Sequence, residues 1–256
     1  MKIVTWNLRM VWKNGDGIND FIHRAGFIYE KIMEEKPSVI AFQEVVPNSL
    51  EFLKRVLVEY EFIGGMRTEN YDGEGVYTAF LKEEFIQLSS DFFWLSPTPY
   101  VPASRFEEQS VYPRVCVYNK VLYKKTNKVF NFFNLHLDNT SQIAMLKGFN
   151  CVLEYIEKNN TSIDKNETII LGDFNAEENS ITIKSTNKLN WIVDVTKGIK
   201  ETFHGFGKIE NNKIDYIFIS KCLVRMIETV DVWKDEINGI YLSDHYPICL
   251  KLFGDN

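Results

Sequence analysis

Thr168-Ile169-Ile170-Leu171-Gly172-Asp173-Phe174-Asn175 begins as a short apolar run and ends as two small polar side chains alternating around an aromatic. The run 168–171 has the length and β-branched content of a buried strand, and Gly172 frees the backbone where the strand gives way. The same layout recurs along the chain. Asn7 closes a run that starts at residue 3, and Gln43-Glu44 closes 39–42. Asn134-Leu135-His136-Leu137-Asp138 closes 129–137, and Ser243-Asp244-His245 stands just before 248–253. Asp215 lies inside a further strand, Lys213-Ile214-Asp215-Tyr216-Ile217. Strand ends gathered at one rim of a layered sheet protein are where side chains converge on a ligand.

Other strand-like runs cover 76–81, 115–123 and 214–219, with helical patterns between some of them. Phe21, Ala25, Ile28 and Ile32 share one face of a helix that stops before Pro37. Leu50, Leu53 and Leu57 mark a second face, and Leu146, Phe149, Leu153 and Ile156 a third. From 76 to 137 the chain reads as consecutive strands joined by turns, which argues antiparallel pairing. A layered α/β protein with largely antiparallel or mixed sheets is expected. Polar stretches 159–166 and 177–190 read as loops. Ser96-Pro97-Thr98-Pro99-Tyr100-Val101-Pro102 has a linker's composition, but strands of the same character resume beyond it. Residues 1–256 therefore read as a single domain.

The composition of the 256 residues, 45% hydrophobic and 25% charged, excludes a disordered chain, a collagen-like fibre and a coiled-coil rod. Lysine and arginine number 29 against 35 acids, a net charge of −6. That balance disfavours non-specific attraction to nucleic acid phosphates while leaving room for a local basic patch. No window approaches the roughly eighteen apolar residues of a membrane span. The opening Met1-Lys2-Ile3-Val4-Thr5-Trp6-Asn7 lacks the apolar core and cleavage site of a secretory signal. Cys116, Cys151, Cys222 and Cys249 are widely spaced among apolar neighbours. Buried thiols in a reducing cytoplasm are expected, and a zinc site is not.

Each polar tip has a plainer reading when taken alone. Asn7 suits a turn, Glu44 a rim or a helix start, and Gly172-Asp173-Phe174-Asn175 an Asx turn. His136 and Asp138 alternate with leucines, and a solvated face explains them best singly. Arg114 alone is a surface charge, and Asp244-His245 a cap. Asp215 fits least well, because an acid inside a strand wants a partner. Their joint occurrence changes the balance. If Glu44, Asp173, Asp215 and Asp244 share one rim, carboxylates about 4 Å apart repel by roughly 4 kcal/mol at an effective dielectric of about 20. Such a cluster protonates or binds a cation. Oxygen donors without thiolates favour magnesium or manganese, a setting for phosphate ester hydrolysis by an activated water, with two histidines and Arg114 holding the phosphate.

Thr5-Trp6-Asn7-Leu8, Phe42-Gln43-Glu44-Val45, Asn134-Leu135-His136-Leu137-Asp138, Leu171-Gly172-Asp173-Phe174-Asn175, Ile214-Asp215-Tyr216-Ile217 and Ser243-Asp244-His245-Tyr246-Pro247 together resemble the endonuclease/exonuclease/phosphatase superfamily. That superfamily includes pancreatic-type DNase, exonuclease III-like repair nucleases, sphingomyelinases and inositol phosphatases. The elements occur in the family's order from residue 5 to 247. The resemblance implies a DNase I-like fold, a four-layer α/β/β/α sandwich of two mixed, largely antiparallel sheets. It also implies a magnesium-dependent phosphoesterase in which manganese can substitute. Glu44 resembles the principal metal ligand, with Asn7 beside it and Asp244 contributing. Asp173 resembles the acid that positions or deprotonates the attacking water, and Asn175 the residue that stabilises charge on the phosphoryl oxygens. His245 matches the phosphate-contacting histidine, and Asp215 the acid that orients and charges it. His136 matches the second histidine of the DNase and sphingomyelinase branches, with Glu74 as its partner. Arg114 looks like the phosphate-neighbouring arginine.

The disulfides of secreted DNases and the membrane-entry hairpin of secreted sphingomyelinases have no counterpart here. Phe92-Phe93-Trp94-Leu95-Ser96-Pro97-Thr98-Pro99, followed by Pro113-Arg114, resembles a bacterial cytosolic branch and is similar to eukaryotic deadenylase domains. The resemblance therefore implies a cytoplasmic enzyme with a phosphorylated substrate, no membrane and no obligate protein partner. Two substrate readings stand, a nuclease and a phosphatase for a small metabolite, and the net charge leans toward the second. Trp94, Tyr100 and Phe106 are candidates for base stacking, with packing as their plainer role. A catalytically inactive binding module on the same fold is the rival outside enzymology, but a scaffold has no physical need for four clustered acids. Ser243-Asp244-His245 is not read as a serine hydrolase, since adjacent residues cannot align nucleophile, base and orienter.

Overall fold

The computed structural model describes residues 1–11, 15–159 and 167–253. In chain order the elements are β1 (Lys2–Asn7), α1 (Phe21–Glu35), β2 (Val39–Val45), α2 (Pro47–Val56), β3 (Tyr60–Met66), β4 (Gly75–Leu81) and β5 (Phe85–Trp94). There follow β6 (Val115–Tyr123), β7 (Lys128–His136), α3 (Gln142–Asn159), β8 (Thr168–Asp173), α4 (Ile181–Thr186) and β9 (Ile192–Asp194). The last are β10 (Asp215–Ser220), β11 (Ile227–Val232), β12 (Glu236–Ile237), β13 (Ile240–Tyr241) and β14 (Ile248–Leu252). One six-stranded sheet has the order β11-β14-β1-β2-β4-β3, the other β5-β6-β7-β8-β10-β9, and β12 with β13 forms a small hairpin. Each large sheet holds one parallel pair, β1 with β2 and β7 with β8, joined through α1 and α3, and all its other pairs are antiparallel.

The layering follows from strand alternation. In β1, Ile3 faces the opposite sheet while Val4 and Trp6 face α1. In β2, Val39 and Ala41 face inward and Ile40 and Phe42 outward. In β7 and β8, Phe132, Ile169 and Leu171 meet the first sheet, and Phe133, Leu135 and Ile170 meet α3. Central strands are thus covered on both faces, which is why they read as unbroken apolar runs. The result is helices, sheet, sheet and helices in four layers.

Local signals place the helices. Lys36 ends α1 in a left-handed conformation (φ 45°) with its N–H on Ile32 O, just ahead of Pro37. Pro47 opens α2, where its missing N–H costs nothing. In α3 the buried stripe is Met145, Phe149, Val152 and Ile156, while Leu146 and Leu153 are only half-buried. The stretch 177–190, expected to be loop, contains α4, capped by Ser180 Oγ accepting from Ile183 N. Of the polar stretch expected at 159–166, residues 160–166 lie outside the described residues. Between 76 and 137 the strands do not form one meander. β4 pairs with β2 and β3 in the first sheet, whereas β5, β6 and β7 form the second.

Arg24 shows how α1 is tied to the rim. Its guanidinium is fully buried and donates to Asn19 O (2.7 Å), Leu8 O (3.1 Å) and Leu242 O (2.7 Å). Burial depresses its pKa to about 10. Arg24→Ala strands three carbonyls in a dry setting, so a loss of about 3 kcal/mol is expected in urea denaturation. A midpoint equal to the parent's would show that these contacts contribute nothing.

Candidate active site

The space between the sheets is apolar at one end and polar at the other. Continuing the inward-facing positions of each strand leads from Ile3 to Thr5 and Asn7, and from Val39 to Gln43. It leads likewise from Phe132 to Asn134 and His136, from Ile169 to Asp173, and from Ile219 to Asp215. The carboxyl ends of parallel strands and the amino ends of their antiparallel neighbours therefore meet at one rim. Register confirms it: His136 and Asp215 both pair with Asp173, and Asn7 pairs with Gln43. Just inside the rim, Gln43 Nε2 donates to Asn134 Oδ1 across the sheets (2.8 Å). Asn134 Nδ2 donates to Phe42 O (3.2 Å) and Tyr77 O (3.1 Å).

Two backbone devices aim the acids. Glu44 lies at φ 56° where β2 slips register against β4 between Phe42 and Val45. This bulge turns its carboxylate toward the rim. Gly172 has φ 145°, and a Cβ there would sit 2.0 Å from Leu135 O. Only glycine permits the close β7–β8 approach that sets His136 beside Asp173.

Asp173 Oδ2 is the hub. Asn7 Nδ2 donates to it at 2.9 Å and also to Glu44 Oε1 at 3.1 Å. His136 Nε2 lies 3.5 Å from the same oxygen and His245 Nε2 3.8 Å. Asp173 Oδ1 accepts from Asn175 N at 2.8 Å, so the Asx turn read from the sequence exists and serves to fix the carboxylate. Asn175 itself has φ 49° and donates its side-chain amide to Leu137 O. Asp215 Oδ2 holds His245 Nδ1 at 2.8 Å. Arg114 Nη1 donates to His136 Nε2 at 3.1 Å and its Nη2 to Asn139 Oδ1 at 3.0 Å. His136 Nδ1 stands 3.3 Å from Glu74 Oε1 without an aligned hydrogen bond.

Electrostatics divides the two histidines. Burial, then Arg114, pushes the His136 pKa down to about 3, so it is a neutral imidazole that accepts at Nε2. For His245 burial acts downward, but Asp215 and Asp173 outweigh it and raise the pKa to about 10. It is an imidazolium at neutral pH. Burial and nearby Asp215 hold the Asp173 carboxyl above its usual range, and burial and Glu44 do the same for Asp244.

Asn7, Glu44, Glu74, Arg114, His136, Asp173, Asn175, Asp215, Asp244 and His245 thus all reach this rim. Three plainer readings fail. His136 and Asp138 do not face solvent: both are buried, and Asp138 accepts from Thr140 N, Ser141 N and Ser110. Arg114 is no surface charge, being 4% exposed. Buried thiols hold for Cys116 and Cys249, but Cys151 is half-buried and Cys222 exposed. Trp94 packs edge-on against Phe92 and Tyr71. Neither it, Tyr100 nor Phe106 lines the rim cleft. Ser243 Oγ donates to Asn7 O (2.7 Å), so it braces the first strand.

That cleft, about 270 Å³, includes residues the sequence reading missed: Arg9, Met10, Arg67, Tyr112 and Asn139. Arg9 follows Asn7 by two positions at φ 61°, forks onto Asp16 and stands 3.6 Å from Asp244. Arg67 directly follows β3, a strand with no clear apolar run.

Two groups of side chains have donors a cation would accept. Glu44 and Asp244 offer carboxylate oxygens, whereas Asn7 turns Nδ2 to Glu44 and accepts from Arg9 N at Oδ1 (2.9 Å), so its amide must turn over to offer an oxygen to a cation. Asp173, Asp215 and His245 bring ligand atoms within 4.8 Å of one another, but there the His245 imidazolium already supplies the positive charge. The first group suits a hard divalent ion better, because Asp244 is buried beside Glu44 with its charge incompletely offset.

The sandwich and its carboxylate–imidazole rim define a DNase I-like phosphoesterase architecture. The chain belongs to the endonuclease/exonuclease/phosphatase family, whose model matches residues 4–245. Members of this family are phosphoester hydrolases. Among solved structures it is similar to an endonuclease/exonuclease/phosphatase from Bacteroides vulgatus (24% identity, 98% of each chain covered, TM-score 0.89). It is also similar to a mannosyl-6-phosphatase from Bacteroides thetaiotaomicron (22% identity, 99% of this chain and 100% of that one, TM-score 0.86). A third is TDP2 from D. rerio complexed with a single-strand DNA product (18% identity, 98% and 97%, TM-score 0.74). No curated protein matches the chain in sequence. Among the described residues no helix is long and apolar enough to cross a membrane.

Proposed function

We propose that this chain is a magnesium-dependent phosphoesterase that hydrolyses the phosphate ester of a small molecule. The observation that carries the reading is the convergence of Asn7, His136 and His245 on the Oδ2 atom of buried Asp173. Glu44, Asn7 and Asp244 would hold the ion, and the all-oxygen set they form once the Asn7 amide turns over suits magnesium, with manganese as a substitute. A divalent cation held there would supply Lewis-acid stabilisation of the negative charge that grows on the phosphate ester oxygens.

The chain's own groups do the rest. Asp173 accepts a proton from water as the water oxygen bonds to phosphorus and the ester P–O bond breaks, and the departing oxygen takes a proton from solvent to leave as the alcohol; the raised pKa of Asp173 makes it a better base. His245, kept charged by Asp215, donates from Nε2 to a phosphoryl oxygen whose negative charge grows. Arg114 and Asn175 donate to the remaining oxygens, and neutral His136, with Glu74 behind it, holds Arg114 in place through Nε2.

A small substrate is favoured by the net charge of −6 and by a cleft of about 270 Å³. Likeness to a mannosyl-6-phosphatase, at a TM-score of 0.86 against 0.74 for the DNA-processing TDP2, points the same way. The test is a panel of sugar phosphates, an aryl phosphodiester, poly(A), RNA and single-stranded DNA, each with magnesium. Turnover of a sugar phosphate is expected, abolished by chelator and restored by magnesium or manganese. Its kcat/KM should change little between low and moderate salt, whereas a groove contacting six or more phosphates loses about 10³-fold. Chelator-insensitive turnover overturns the mechanism; steeply salt-dependent cleavage of nucleic acid alone overturns the small substrate.

A further inference from the structure

Arg67 is held in the cleft more firmly than its hydrogen-bond count requires. Its Nη1 donates to Glu74 Oε1 at 2.7 Å, and its guanidinium lies 4.9 Å from the centroid of the Tyr112 ring. Its backbone is fixed as well: Arg67 N donates to Glu74 O (2.8 Å), and Trp94 Nε1 donates to Arg67 O (2.7 Å). Yet among the described residues Nε and Nη2 donate to nothing, and neither is among the buried orphan atoms. Both therefore keep some solvent exposure, and Arg67 lines the cleft together with Arg9, Tyr112 and Arg114. Glu74 does not satisfy the charge in full, because Arg114 shares the same carboxylate oxygen at 3.9 Å. A planar fork fixed by an ion pair and a ring, with donors unspent, is preorganised for a second oxyanion.

We propose that Arg67, backed by Glu74 and Tyr112, is a specificity residue that binds a second anionic group of the substrate, so that the preferred ester is a small molecule bearing two oxyanions. This rests on the phosphoesterase reading, with the scissile phosphate at Asp173 and His245. One carboxylate (Glu74) and one imidazole (His136) separate Arg67 from Asp173. Two anions joined by a short carbon chain reach across that interval. The second group is a phosphate or a carboxylate, since both meet a guanidinium through paired oxygens. The small volume of the cleft and the acidic chain favour such a molecule over an oligonucleotide.

Binding of non-hydrolysable probes tests this without turnover. The probes are propylphosphonate, the same chain ending in a second phosphonate, and the same chain ending in a carboxylate, titrated calorimetrically at fixed free magnesium. The parent is expected to bind at least one doubly anionic probe tighter than propylphosphonate by about tenfold or more. Whichever probe shows the gap identifies the second group. Arg67→Gln should shrink that gap below about threefold, and Tyr112→Leu, a change at a half-exposed position, should shrink it by about threefold. A merely structural role for Arg67 would weaken all probes alike and leave the ratio unchanged, which overturns the proposal, as does a parent with no gap. A short oligothymidylate that binds tighter than either doubly anionic probe overturns the small-molecule class. Loss of hydrolysis with the gap intact would count against the phosphoesterase reading alone.

Discussion

Asp173→Asn is expected to lower kcat/KM on a phosphate ester by at least about 10³-fold. The loss of activity follows because the amide cannot take the proton of the attacking water, although it keeps the bond from Asn175 N. Burial and Asp215 hold the Asp173 carboxyl above the normal range, so ionising it costs the folded protein more than the unfolded chain. That cost grows as pH rises above the unfolded carboxylate's pKa of about 3.9. The amide removes the cost but turns a donor toward Asn7 Nδ2, from which Oδ2 accepts at 2.9 Å. Asp215 remains 2.8 Å from His245 to support the imidazolium. His245→Gln should lose activity on the same scale, because its charge assists the transition state. A fully active Asp173→Asn, measured by steady-state kinetics, would remove the proposed base.

Gly172→Ala is expected to destabilise the fold by about 4 kcal/mol, a large part of the stability of an ordinary domain. Two causes add. The backbone sits at φ 145°, where side chains are disfavoured, and the new Cβ would meet the main-chain oxygen of Leu135 at 2.0 Å. A backbone atom cannot rotate away as a side chain would. Relief requires β7 and β8 to part where Leu135 faces Gly172, one step from the His136–Asp173 pair. Whatever folded fraction survives should also lose activity. A parent-like urea midpoint would mean that the two strands separate there at no cost.

Most of the rim was readable from the sequence, since central strands covered on both faces announce themselves as apolar runs and the polar residues at their tips have nowhere else to go. Asn7, Glu44, His136, Asp173, Asn175, Asp215, Asp244 and His245 were found this way, and resemblance added Glu74. Edge strands were not readable. β3, β5 and β11 are largely half-buried or exposed and carry Glu61, Gln87, Ser89 and Thr229, so their pattern blurs into that of loops. Arg67 was lost with β3. Arg9 and Tyr112 lie in irregular segments, where no period says which way a side chain points. The crossing from β4 to β5 was hidden for a related reason. A short turn looks the same in sequence whether the next strand pairs with its predecessor or joins the opposite sheet.

The Gln43–Asn134 amide pair has a consequence for how the cleft keeps its chemistry. Placed between the hydrocarbon interior and the ionised tips, it bridges the two sheets and closes the floor, so that solvent entering from above meets joined amides and not a fissure leading inward. The ionised groups consequently rest on a poorly polarisable foundation even though their outer sides are wet. Asp173 and His245 can hold proton affinities far from those of free side chains while a substrate needs only a short path to reach them.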